Sequence, residues 1–191
     1  DYLGPGTDWQ RELFRNAPMT NHTLTVSGGD KRTQYLLSAS YFDQEGIALG
    51  SDFRRASLRL NLDNKTTDWL KIGTSLQLVN IDENVTTSGS SVIRDALRQT
   101  PDIAVTNPDG SWGGAFNPNG WVNSIINPYA IALINKDNTK RNQLFGNLYA
   151  EINFTKDLVY RSELTSSFSM ATQDQFFPSY EMGRVIREDN N

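Results

Sequence analysis

Apolar and polar residues alternate with a period of two along much of this chain, the pattern that places successive side chains on opposite faces of an extended strand. Between Thr33 and Phe42, Tyr35, Leu37, Ala39 and Tyr41 alternate with Gln34, Leu36, Ser38 and Ser40. From Phe53 to Asp63 the alternation is stricter, with Ala56, Leu58, Leu60 and Leu62 set against Arg55, Ser57, Arg59, Asn61 and Asp63. Leu70, Ile72, Leu76 and Leu78 face away from Lys71, Gly73, Ser75 and Gln77. Later, Leu144, Leu148, Ala150, Ile152 and Phe154 oppose Asn147, Tyr149, Glu151 and Asn153. Leu158, Tyr160, Leu164, Phe168 and Met170 then oppose Arg161, Glu163, Thr165, Ser167 and Ser169. A shorter stretch from Asn21 to Ser27, with Leu24 and Val26 on its apolar side, comes first. The pattern predicts about six strands.

The joints between these stretches fall into two kinds. Gly28-Gly29-Asp30-Lys31-Arg32, Asp63-Asn64-Lys65-Thr66-Thr67 and Thr155-Lys156-Asp157 are polar hairpin turns. Asp43 to Asp52 is longer, and the segment from Asp82 to Lys140 far exceeds the ordinary connection of ~4–6 residues. No turn closely follows Ala171. Short and long joints therefore alternate, which puts every tight turn at one end of an up-and-down meander and every long loop at the other, the plan of an outer-membrane barrel. A soluble antiparallel sandwich also has one apolar and one polar face. Strands of ~10–14 residues, against a soluble mode of ~5–6, favour the barrel. So do charges on the polar faces, which suit a wet lumen, and Tyr41, Phe53, Trp69, Phe154 and Tyr160 near strand ends, where interfacial girdles fall. Periodicity alone leaves both architectures open.

The predicted division runs as a lead-in over residues 1–20, about four strands over 21–81, a long external loop over 82–140, a two-stranded hairpin over 141–172, and the start of another loop over 173–191. In the lead-in, Asp8 is placed to cap a one-turn helix from Trp9 to Arg15. In the long loop, Val92, Ile93, Ala96 and Leu97 recur at helical spacing within Ser88 to Thr100, and Pro101 ends the run. Asn107-Pro108-Asp109-Gly110 reads as a turn.

Composition narrows the chemistry. Among 191 residues there is no Cys and a single His, His22, so a disulfide framework, a thiolate metal site and a Cys nucleophile are excluded. The net charge of −4 provides no basic surplus for nucleic acid. His22 has no partner in a nucleophile motif, and Asp82 and Glu83, adjacent in sequence, project in different directions rather than facing each other as paired acids must. Asp102, Asp109, Asp137 and Asp157 lack the spacing of a calcium loop. The expectation is a protein without catalytic residues, metal or cofactor, and not an enzyme. Average hydropathy is that of a soluble chain, but a transmembrane strand needs only ~9–11 residues, half of them polar, so that average does not decide.

Binding residues are easier to nominate. Trp112, Phe116, Trp121 and Tyr129 lie among Asn, Gly and Pro in the long loop; flat aromatic faces beside amide donors suit sugar rings or a protein lid, and equally suit packing of the loop on itself. Arg55, Arg59, Arg161 and Glu163 fall on the side expected to face a lumen, where they would meet solute or a plug, or form a solvated charge ladder.

Beyond these patterns, particular residues resemble one family. Thr7-Asp8-Trp9-Gln10 with Glu12-Leu13-Phe14-Arg15 and Ala17-Pro18 is similar to the lead-in segment of SusC-like TonB-dependent transporters of Bacteroidetes. The likeness continues through Asn21-His22-Thr23-Leu24-Thr25-Val26-Ser27-Gly28-Gly29 and Tyr35 to Gly46 into Ser51-Asp52-Phe53-Arg54-Arg55. Leu58 to Asp63 and Thr67 to Gly73 complete it; it is dense over residues 7–80, weaker over 81–140, and loose in the last two strands. The resemblance implies a barrel of about 22 strands with a plugged lumen, in the outer membrane of a Gram-negative cell, importing glycans (oligosaccharides) or peptides. It also implies a SusD-like surface lipoprotein as partner, outer-membrane lipid around the wall, and a TonB–ExbB–ExbD system acting through an N-terminal plug. These residues correspond to neither plug nor TonB-contacting segment, and the first residue, Asp1, is not an initiator Met. The expectation is an early-barrel segment lying after the plug. An open sheet has two unpaired edges, costly in lipid, so closure would require further strands.

Overall fold

The structure is a computed structural model and describes residues 6–86, 92–114, 125–182 and 185–188. A short helix, α1 (Trp9–Leu13), precedes four long strands, β1 (Met19–Gly29), β2 (Thr33–Glu45), β3 (Asp52–Lys65) and β4 (Leu70–Asn84). Helices α2 (Val92–Arg98) and α3 (Pro128–Ile134) lie in the long connection to β5 (Lys136–Asn153), which is followed by β6 (Val159–Phe176) and a small hairpin of β7 (Tyr180–Met182) and β8 (Val185–Arg187). β1 to β6 form one antiparallel sheet in chain order. The fold is an all-β up-and-down meander with short helices at one end.

Residues directly opposite in adjacent antiparallel strands point to the same side of the sheet, and the register aligns the alternating patterns without a slip. One cross-strand row reads Leu24, Ala39, Leu58, Leu78, Leu144, Phe168. The neighbouring row on that face reads Val26, Leu37, Leu60, Leu76, Gly146, Ser166, and the next ends in Leu62, Thr74, Leu148, Leu164. A shift of one residue in any strand would have scattered this face across both sides. Among the described residues no second layer covers it: Leu24 is 70% exposed, Leu164 69% and Phe168 61%. Leu58 is exposed and Leu60 and Leu62 are only partly buried, so this row does not belong to the interior of a sandwich. An apolar face left uncovered across six strands is unlike the limited patches usual on soluble monomers.

The strands run past the alternation that announced them. β4 continues to Asn84 and β5 begins at Lys136, with Asp82 opposite Lys140 and Asn84 opposite Asn138. Ladder hydrogen bonds need only backbone, whereas alternation marks only where one face must be apolar; hence pairing persists where both faces are polar. The tight turns 30–32, 66–69 and 154–158 share one end of the sheet, and the connections 46–51 and 85–135 share the other. In the first turn the Asp30 carboxylate accepts from the backbone N–H of Arg32 and Thr33, both at 2.7 Å.

The buried core lies at the long-loop end rather than in the sheet. Trp9 and Leu13 of α1, Val92 and Ala96 of α2, Ala130 and Ile131 of α3, with Ile103 and Met182, pack into one cluster. Asp8 caps α1 through Arg11 N–H at 3.1 Å, and the helix ends at Leu13, earlier than the expected Arg15, because Phe14 turns extended and bridges Ala48. Trp9 Nε1 donates to the Thr100 carbonyl at 2.9 Å. Thus the segment before β1 is fastened to the 85–135 connection. Gly50, at φ +77°, lies with its α-carbon against the Ala132 carbonyl, where a side chain would collide with α3. Of the predicted helix from Ser88 to Thr100, the part from Val92 to Arg98 is observed, and residues 88–91 lie outside the described residues. Helix α3 was not announced by any period, since Ala130-Ile131-Ala132-Leu133-Ile134 is apolar on every side. It is set instead by Asn127, which caps Ala130 N–H at 3.1 Å, and Pro128 in the first turn.

Candidate functional site

Opposite the apolar face is a polar one, and its residues form bands along the strand direction. In the middle, hydroxyl and amide side chains bond across strands: Thr25 with Ser38 at 2.9 Å, Ser40 with Ser57 at 2.7 Å, Ser75 to Asn61 at 2.7 Å, and Asn147 to Thr165 at 2.9 Å. These groups would cost several kcal/mol each against hydrocarbon if left unpaired; on this face they present a hydrophilic wall.

Toward the tight turns the wall becomes charged. Arg161 lies over the Tyr149 ring, 4.1 Å from its centroid, and within 3.7 Å of both Glu151 and Glu163. The Tyr149 hydroxyl donates to Asp63 at 2.5 Å, Lys71 lies 3.7 Å from Asp63, and Asn147 donates to Glu163. Tyr149 reaches across because its cross-strand partner is Gly73, which leaves room for the ring. A cleft of about 330 Å³ opens beside this network, between Lys31, Arg32, Lys65, Asp68 and Glu151. In the turns themselves, backbone donors from Thr33 and Arg32 hold the Asp30 carboxyl below its usual range, and Lys65 does the same for Asp68. In the long connection, the Ser111 hydroxyl and N–H lower Asp109.

Toward the long loops the same face carries Phe42, Phe53 and Arg55. The two rings meet edge-on at 5.9 Å, and the Arg55 guanidinium lies 5.6 Å from the Phe42 centroid. Phe53 was expected in an interfacial girdle; its register opposite Gln44 and Glu83 instead turns it to the polar face. Tyr41 and Tyr160 do share the apolar face, opposite Ala56 and Ile152 respectively.

Of the residues nominated from sequence, Arg161 and Glu163 are brought together, and Arg55 and Arg59 share their face of the sheet farther along β3 without touching them. Trp112 and Tyr129 meet at 6.2 Å between ring centroids and pack against the loop core, while Phe116 and Trp121 lie outside the described residues. Tyr149 and Phe42 were not singled out from the sequence. The signal was available: each is an aromatic in the polar half of its alternation.

This geometry defines a class: a one-layer antiparallel sector of wall, apolar on one side and polar on the other, with tight turns at one end and a packed loop cap at the other, as in transmembrane barrels. The more particular likeness is to SusC-like TonB-dependent receptors, and it holds in sequence and in backbone path. The chain is 29% identical over 185 residues to TonB-dependent receptor P3 of Formosa agariphila, covering 92% of this chain and 18% of that protein. It is 28% identical over 203 residues to the TonB-dependent receptor SusC of Bacteroides thetaiotaomicron, covering 93% of this chain and 20% of that one. Among solved structures, the RagAB peptide importer in its closed-closed state superposes with a TM-score of 0.67 at 25% identity, over 88% of this chain and 19% of that chain. The same importer in its open-open state gives 0.65 over 87% of this chain. No protein-family model matches. The chain spans about a fifth of the length of the curated relatives it matches.

Proposed function

We propose that this chain is a sector of the wall and outer loops of a TonB-dependent active transporter in the Gram-negative outer membrane. In this reading the strands within 21–81 and 141–172 form wall, and the lead-in and the 82–140 connection lie outside the cell. The observation that carries it is the register-matched apolar face with nothing packed on it among the described residues. A sheet that is greasy on one side and hydrated on the other has its lowest free energy between lipid and a watery conduit. From Leu70 to Leu78 the apolar side of β4 runs about 27 Å along the strand, or ~20 Å of depth after a tilt of about 40°, which suits an apolar band of ~25 Å.

The solute is a peptide or a glycan, taken up with a SusD-like surface lipoprotein and with energy delivered by the TonB complex through a plug. Relatedness to SusC and to the RagAB peptide importer supports that assignment. Arg55, Arg59, Arg161 and Glu163 line the conduit in this reading, and Trp112, Phe116, Trp121 and Tyr129 serve solute or partner contact above it. The test uses cells carrying the full-length protein. It should fractionate with the outer membrane, leave it only in detergent, and support uptake of a labelled oligopeptide or oligosaccharide that ceases when TonB is disabled. A monodisperse detergent-free protein would overturn the reading.

A further inference from the structure

On the polar face, where β2, β3 and β4 reach the long-loop end, a cavity of about 500 Å³ opens between the 46–51 connection, the strand ends and α2. Its volume falls in the range of small-molecule sites, ~300–1,000 Å³. Its walls are mostly hydrocarbon: Ile47, Phe53, Val85 and Ile93 line it, and Ile47 is 65% exposed. Gln44, Phe53 and Glu83 stand opposite one another in the sheet register and so project to the same side. Glu83 is partly buried, and among the described residues its carboxylate makes no ion pair. The cations next to it in register on that face, Arg55 and Arg141, both pair with Ile81 one step along, and the Arg55 guanidinium lies over Phe42.

Asp52 and several polar groups share the lining but are engaged: Ser51 donates to the Ala48 carbonyl at 2.7 Å, Thr86 to that of Leu49 at 2.8 Å, and Asn84 to Asp52 at 2.8 Å, with Arg54 3.9 Å from the other Asp52 oxygen. A largely aliphatic cavity in which Glu83 is the carboxylate without an ion pair selects among solutes by elementary chemistry. A sugar brings hydroxyls that such walls leave unpaired, and no cation for the carboxylate. A peptide with a free amino terminus beside an aliphatic side chain supplies both a hydrocarbon group and an ammonium. We propose that this cavity is a peptide subsite at the outer mouth, seating an aliphatic side chain among Ile47, Phe53 and Ile93 with the neighbouring ammonium on Glu83. The assignment rests on the transporter reading and narrows its solute to peptides.

The experiment titrates the detergent-purified full-length protein by calorimetry with the tripeptide Leu-Val-Gly, its N-acetylated form, and maltotriose. The free tripeptide should bind; Glu83→Gln should weaken it about tenfold while changing the acetylated form less than about twofold. Ile93→Asn should weaken both forms alike, because it removes apolar wall and leaves the carboxylate. Failure of the free tripeptide to bind, equal affinity of the free form for wild type and Glu83→Gln, or maltotriose binding that Ile93→Asn abolishes would overturn the subsite. TonB-dependent uptake of labelled solute is followed in the same variants. Uptake that persists alongside a failed titration overturns the subsite alone, whereas no TonB-dependent uptake of any solute by the wild type overturns the transporter reading beneath it.

Discussion

Leu164 and Thr165 are neighbours in β6 on opposite faces, so one substitution placed at each reads out which face meets lipid. Leu164 is 69% exposed and lies on the apolar side opposite Leu148. Thr165 lies on the polar side, where its hydroxyl accepts from Asn147 at 2.9 Å. Leu164 is five residues beyond Val159, where β6 leaves its tight turn, which is about 17 Å along the strand or ~13 Å of depth after a tilt of about 40°. That is close to the middle of an apolar band of ~25 Å, where an arginine on the lipid face of a barrel costs about 2–4 kcal/mol. Thr165→Arg loses one exposed hydrogen bond and should cost about 1 kcal/mol or less. The assay is reversible unfolding in guanidinium of the full-length protein folded into phospholipid bilayers, with wild type and each variant compared at equal lipid ratio. A Leu164→Arg cost below about 0.5 kcal/mol, or a Thr165→Arg cost matching it, would refute the assignment of faces.

Two further predictions concern the ends of the sheet. Asn127 is fully buried; it caps α3 and donates from Nδ2 to the carbonyls of Val105 at 2.8 Å and Gly113 at 2.9 Å. Asn127→Ala should destabilise the loop cap by about 2–4 kcal/mol, seen as faster hydrogen exchange over residues 125–135 with exchange in β2 to β4 unchanged; unaltered exchange would contradict the packing. The Asp30 carboxyl is held below its ordinary value of 3.8 by the N–H groups of Thr33 and Arg32. Because the folded value is depressed, its stabilisation is present above about pH 4 and is lost as pH falls through the folded value. The difference in unfolding midpoint between wild type and Asp30→Ala should therefore shrink below about pH 4, and a difference constant from neutral to strongly acid pH would refute it.

Much of the wall was legible in one dimension because a strand's side chains repeat every two residues, and a face that meets a single environment imposes that period directly. Leu58, Leu60 and Leu62 announced their common side before any partner strand was known. The tight turn at Asp30 was legible for a similar reason, since a short polar side chain after two glycines satisfies backbone donors locally. The helix α2 was visible in part through Val92, Ile93, Ala96 and Leu97, whereas α3 was not, because a segment apolar all round has no polar phase to set against its apolar one.

Other features depended on contacts between residues far apart in sequence. Trp9 meets the Thr100 carbonyl and Thr7 meets that of Ile103, tying the lead-in to the long connection through bonds no local spacing encodes. Phe53 carries the same aromatic label as Tyr41, yet its parity with Arg55 and Arg59 sets it on the polar face, and only the pairing of β2 with β3 brings it beside Phe42. The cluster of Asp63, Tyr149, Arg161 and Glu163 draws on three strands, and the space for the Tyr149 ring exists only because Gly73 falls opposite it. The chain by itself determined which residues prefer oil and which prefer water, since that is a property of each side chain. Only the assembled sheet decided which polar groups meet, because hydrogen bonds and cavities belong to pairs of residues brought within a few ångströms by pairing register.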